Sequence, residues 1–172
     1  MKLVKPLKAF LFGASGLFIM ATLLSLLIPS NIKVSRVDII NAPAGKVYAQ
    51  IADIRNWKNW HPAFKQEGDK INFAVDGRSC DIINTNRTTH LAITSADSVS
   101  VKFILQAKGE NDIKNEINIT TLPTQPGTQV EWRSFTKLKW YPWEKVYGIF
   151  IDKLTGPSYE SALKGLKLFL EE

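Results

Sequence analysis

The chain has 172 residues, 45% of them hydrophobic, with 22 basic and 16 acidic side chains and a net charge of +6. Lys2, Lys5 and Lys8 precede an apolar run, and the remaining 19 basic residues are scattered among the 16 acidic ones, without the dense basic patch that nucleic-acid binding needs. The one cysteine, Cys80, excludes an intramolecular disulfide and argues against a thiolate metal cluster.

Residues 9–28, AFLFGASGLFIMATLLSLLI, carry no charge. At about 1.5 Å per residue, a helix of this length covers about 30 Å, the thickness of a bilayer's hydrocarbon core. Eleven of the twenty are Leu, Ile or Phe, which together favour insertion by about 3–7 kcal/mol. Phe10, Leu11, Leu17, Ile19, Leu24 and Leu27 supply much of that apolar surface, and Pro29 is placed to stop the helix. A cleaved signal peptide would have a shorter apolar region of about 7–15 residues and a small-x-small site. Ile28-Pro29-Ser30 and Leu23-Leu24-Ser25 both lack the first small residue. The run therefore reads as an uncleaved anchor over 9–29, between an N-terminal segment (1–8) and a domain (32–172). The lysines ahead of the run place the N-terminus in the cytoplasm and the domain on the outer, periplasmic side of a bacterial inner membrane.

In the domain, residues 32–40 (IKVSRVDII) form a first strand. Pro43 opens a helix over 43–54, with Val47, Tyr48, Ile51 and Ile54 at helical spacing. Trp57, Trp60, His61, Pro62 and Phe64 follow in a short helix ending before Pro62. Short strands with turns then follow: Ile71, Phe73 and Val75 alternate with a turn at Asp76-Gly77, and 80–84 and 88–94 are two more candidate strands. Val99, Val101, Phe103, Leu105 and Ala107 alternate strictly, Ile113, Ile117 and Ile119 mark another strand, and Pro126-Gly127 turns into 129–139. Two helical stretches close the chain, the first carrying Tyr147, Ile151 and Leu154, with Pro157 splitting them. A strand, helices, a run of antiparallel strands and a last helix make an α+β class.

Asn41-Ala42-Pro43, Val47-Tyr48, Asp53, Trp57, Trp60 and Pro62, with Gly127-Thr128, Trp132 and Gly156-Pro157-Ser158-Tyr159-Glu160 near the end, resemble the polyketide cyclase/dehydrase-like members of the START-like superfamily. The resemblance implies a helix-grip fold, in which a curved antiparallel sheet wraps a long C-terminal helix around a cavity for an apolar ligand. It argues against the nuclear-transport-factor-like cone, whose helices come first.

The residues offer no catalytic set, metal site or cofactor motif. His61 and His90 are 29 positions apart on different elements, without the converging ligands a metal needs. Cys80 has only Arg78 as a basic neighbour. The large rings are the informative group. Trp60, His61, Phe73, Phe103, Trp132, Tyr147, Ile151 and Leu154 are the candidate cavity lining. Trp140 and Trp143, beside Lys137, Lys139 and Lys145, suit a membrane interface. The function expected is a membrane-anchored, non-enzymatic binder of a lipid-like molecule. The alternatives are a cyclase or dehydratase using His61, Asp53 or Tyr147, and a ligand-free recruiting module. The partners expected are the bilayer and an apolar small molecule. A reporter active only outside the cytoplasm, fused to the C-terminus, should be active. A reporter active only inside should be silent there, and the reverse pattern overturns the orientation.

Overall fold

The computed structural model describes residues 4–66, 70–84, 87–123 and 127–172, the first three by backbone alone. Pro126, expected in a turn, and Lys2 lie outside the described residues. The apolar run expected to be an anchor forms part of helix α1, Val4–Ser25. It ends four residues before Pro29, so proline is not what stops it. The chain tightens first into i→i+3 bonds, Leu27 N to Leu24 O and Ile28 N to Ser25 O. Phe10, Leu11, Leu17, Ile19, Leu24 and Leu27 are all more than half exposed. Leu7–Ser25 is long and apolar enough to cross a membrane and is not a core helix of the domain.

Strand β1 (Asn31–Ile40) leads to α2 (Ala44–Ile51), a 3₁₀ turn (Ile54–Asn56), α3 (Trp57–Trp60) and α4 (Pro62–Gln66). Pro62 ends α3 and begins α4, because a first helical turn does not need its missing N–H. Strands β2 (Ile71–Phe73), β3 (Ser79–Asn84), β4 (Arg87–Asp97), β5 (Ser100–Ala107), β6 (Ile113–Thr121) and β7 (Thr128–Lys137) precede α5 (Pro142–Glu171). All pair antiparallel in the order β1-β7-β6-β5-β4-β3-β2. This is the α+β helix-grip, START-like fold, an open sheet with a long C-terminal helix. Val75 and Val99 continue the alternation of their neighbours but sit in turns, 95% and 61% exposed.

Helix α5 runs unbroken through Pro157. Pro157 is on the exposed face, so the Lys153 carbonyl it cannot serve is left to solvent and costs little. Arg36 bonds Asp152 at 3.0 and 3.2 Å, Lys167 bonds Asp38 at 3.0 Å, and the Asn41 N–H donates to Glu171 at 2.7 Å. These bonds fix α5 lengthwise on the inner face of β1. Between them the helix comes close through glycines. A side chain on Gly148 would strike Leu138, and one on Gly165 would strike the Trp60 carbonyl. Gly165→Ala should lower stability by about 1–3 kcal/mol, because backbone must shift. Gly45→Ala, in exposed helix with nothing near its side, should be neutral or stabilising by up to about 1 kcal/mol. Urea unfolding of the full chain in detergent checks both.

Candidate functional site

The inner face of the sheet is built from cross-strand rows. One row runs Ile93–Phe103–Asn115–Ser134–Val34 across five strands, and every member is buried. Over this end of the sheet sits a plug of rings from α3 and α4. Trp57 is its hub, 5.4 Å from Trp60, 5.4 Å from Phe64, 5.1 Å from Phe103 and 6.1 Å from Trp132 between ring centroids. Each ring buries about 150–250 Å², worth about 4–6 kcal/mol gross. The indole hydrogen bonds, worth about 1 kcal/mol each, orient rather than hold. Trp57 and Trp60 donate to the last carbonyls of α2, Ile51 at 3.0 Å and Gln50 at 3.2 Å. Trp132 donates to Asn115 at 3.0 Å.

His61 belongs to this plug. Its ring stacks on Trp57 at 5.7 Å with a 10° tilt, and meets Trp60, Phe64 and Trp132. Its Nδ1 is buried without a hydrogen-bond partner, while one edge reaches a 330 Å³ hollow lined by Gln66, Pro157, Ser158 and Ser161. Burial pushes its pKa down to about 4, so it is a neutral imidazole at pH 7. Among the described residues no carboxylate contacts it to make a catalytic pair.

A second row spans all seven strands: Phe73–Cys80–Leu91–Leu105–Ile113–Thr136–Ile32. Cys80 and Leu91 are buried, but Phe73, Leu105, Ile113, Thr136 and Ile32 are only half-buried. The plug reaches this row at Phe73, 6.3 Å from Phe64 between ring centroids, and leaves it half-covered toward β1. Asn111, two residues before Ile113, donates to Glu144 in the first turn of α5 at 3.0 Å. That bond sets the first turn of α5 beside this end of the sheet, and Gly148 one turn on lies against Ile32 of the row. A hollow of 380 Å³ lies elsewhere, on the convex face over Ile104 and Phe135.

The eight expected lining residues thus separate. Trp60, Phe103, Trp132 and His61 are the plug, packed on one another. Phe73 is in the half-covered row and Ile151 is buried on the α5 flank. Tyr147 and Leu154 are 49% and 59% exposed and line no interior, because the sheet-facing side of α5 lies along Lys145, Gly148 and Gly156. Leu105 and Ile113, which the alternation of their strands placed on the inner face, are the members the sequence reading missed. Lys145 is not at a surface either: it is 3% exposed and donates to the Ile28 carbonyl and Ser30 Oγ, both at 2.7 Å.

Of the other titratable candidates, Asp53 caps the 3₁₀ turn and is held by Arg55, whose guanidinium keeps the carboxyl below its ordinary range. Burial, then Asp81, pushes the Cys80 thiol up to about 12, which leaves it unreactive. His90 faces outward and bonds Asp81 at 2.7 Å. Among the described residues no His, Cys, Asp and Glu group is placed to hold a metal.

Residues 31–171 match the family model described as "Polyketide cyclase / dehydrase and lipid transport". The chain belongs to this family. Among solved structures it is similar to XoxI from Bacillus cereus, at 16% identity and a TM-score of 0.60 over 82% of this chain and 96% of that one. It is also similar to a START superfamily protein from Mycobacterium smegmatis, at 18% and 0.56 over 81% and 97%, and to CalU16 from Micromonospora echinospora, at 16% and 0.55 over 80% and 75%. These likenesses establish the fold. No curated protein matches the chain in sequence.

Below pH 6.5 the unfolded chain binds a proton on His61 that the folded chain refuses until about pH 4. Stability should therefore fall across that window by up to about 3 kcal/mol. In His61→Phe this part of the loss should be absent, as read from urea midpoints at pH 7 and 4.5.

Proposed function

We propose that the protein is a membrane-anchored, non-enzymatic binder of a lipid-like or other apolar small molecule. The observation that carries the proposal is the half-covered row of Leu105, Ile113, Thr136 and Ile32, mainly apolar, with α5 against it where Gly148 meets Ile32 and with Phe73 at its far end. Apolar sheet surface flanked by a helix and left partly open is what a hydrophobic ligand would cover. The family's description, which includes lipid transport, supports the same reading. The helix α1 would hold that floor near a source of lipid, with the N-terminus inside and the domain on the periplasmic side. The plug of rings would set the inner limit of the site, with His61 as its polar member among the described residues.

The cyclase or dehydratase alternative rests on His61, a buried imidazole with an unpartnered nitrogen. With a pKa near 4 it is far from the value a general base needs at neutral pH. Among the described residues it also has no hydrogen-bonded second group to work with.

The full chain, purified in mild detergent and examined by native mass spectrometry, should carry an apolar molecule that organic solvent extracts. Ile113→Glu, a charge on a half-buried position, should reduce that load at least about tenfold while leaving the urea midpoint near wild type. A chain that stays empty after purification and on exposure to lipid vesicles overturns the reading.

A further inference from the structure

The first half of α5 is amphipathic in the reverse sense. Its sheet-facing side is Lys145, Gly148 and Gly156, all buried. Its outward side is Trp143, Val146, Tyr147, Phe150 and Leu154, between 49% and 62% exposed. Their spacing, i, i+3, i+4, i+7 and i+11, makes one stripe about 17 Å long. Trp140, 57% exposed, extends it past the helix start. The second half of the same helix turns Ser158, Ser161 and Lys164 outward, with Leu168 and Phe169 near its end as the exceptions. A contiguous apolar face of this kind on a soluble domain marks a contact surface.

We propose that this stripe lies in the lipid headgroup region of the bilayer and docks the domain on the membrane in one orientation. Where the chain leaves α1 decides for lipid over a second protein. Lys145, in the first turn of α5, bonds Ile28 and Ser30 directly after the anchor. That bond holds the head of the stripe at the level where the chain emerges from the hydrocarbon, the depth that indoles prefer. Lys137, Lys139 and Lys153 are exposed nearby, the polar complement that an interfacial helix carries toward phosphate groups. The two acids of this stretch are turned away from the stripe: Glu144 accepts from Asn111 and Asp152 from Arg36. The inference rests on the anchor being in the membrane and does not require that a ligand be bound.

The chain's own tryptophans make the test selective. Of the five, Trp57, Trp60 and Trp132 are 1–2% exposed, and only Trp140 and Trp143 are open to a quencher in the bilayer. The full chain in phosphatidylcholine–phosphatidylglycerol vesicles should lose tryptophan emission when the phosphatidylcholine is brominated at shallow acyl positions. The loss should vanish in the double variant W140F/W143F. A spin label on Leu154→Cys, with Cys80 shielded at 2% exposure, should collide more with oxygen than with a water-soluble nickel chelate. Protein that floats with the vesicles but is neither quenched nor oxygen-accessible overturns the docking and leaves the anchor standing. Disulfide dimers through Leu154→Cys at low protein density would assign the stripe to a second copy and also overturn it. Protein that does not float with vesicles removes the anchor, and the docking with it.

Discussion

The position of Trp57 is the constraint on which the rest of the domain depends. Its ring touches Trp60, His61, Phe64, Phe103 and Trp132, and its Nε1 caps the end of α2. Three short helices too small to be stable alone are thereby fastened to the middle of the sheet. Because the plug is solid there, apolar sheet surface is left over only at the other end, under the start of α5. The ring hub therefore decides where the fold is closed and where it stays open.

Much of this was legible in the sequence. Strand β1 announces itself by its β-branched residues and β2 and β5 by period-two alternation, and the strand-first, helix-last order is the one that the helix-grip resemblance requires. The rings at Trp57, Trp60, Phe103 and Trp132 stood out by size. Alternation alone does not say where a strand stops, so Val75 and Val99 read as strand residues although both are in turns. Pro157 reads as a break because sequence does not reveal that it faces solvent.

The first half of α5 was the least legible part. Periodicity put Tyr147, Ile151 and Leu154 on one face, and an apolar face is ordinarily the buried one. Here the buried side is Gly148 and Gly156, chosen for close approach to Leu138 and Arg36, with Lys145 satisfied by a backbone carbonyl and a hydroxyl. None of these has an apolar signature. Leu105 and Ile113 stand in the predicted strands without standing out as lining candidates for a related reason: a half-covered position has the same residue types as a covered one, and only the extent of the plug distinguishes them.

The pairing of β1 with β7 has a consequence for how the molecule is made. The first strand of the sheet is held next to the anchor, and its only strand neighbour is the last to be synthesised. Lys145 reaches Ile28 across 117 residues, and α5 is seated on β1. The sheet therefore cannot close progressively from its N-terminal edge. While the intervening chain is produced, β1 waits beside α1 with both edges bare, which in a free polypeptide would invite wrong partners. Fixing that strand to one point reduces its encounters with other chains, so the helix that would hold the finished domain would also shelter the unfinished one.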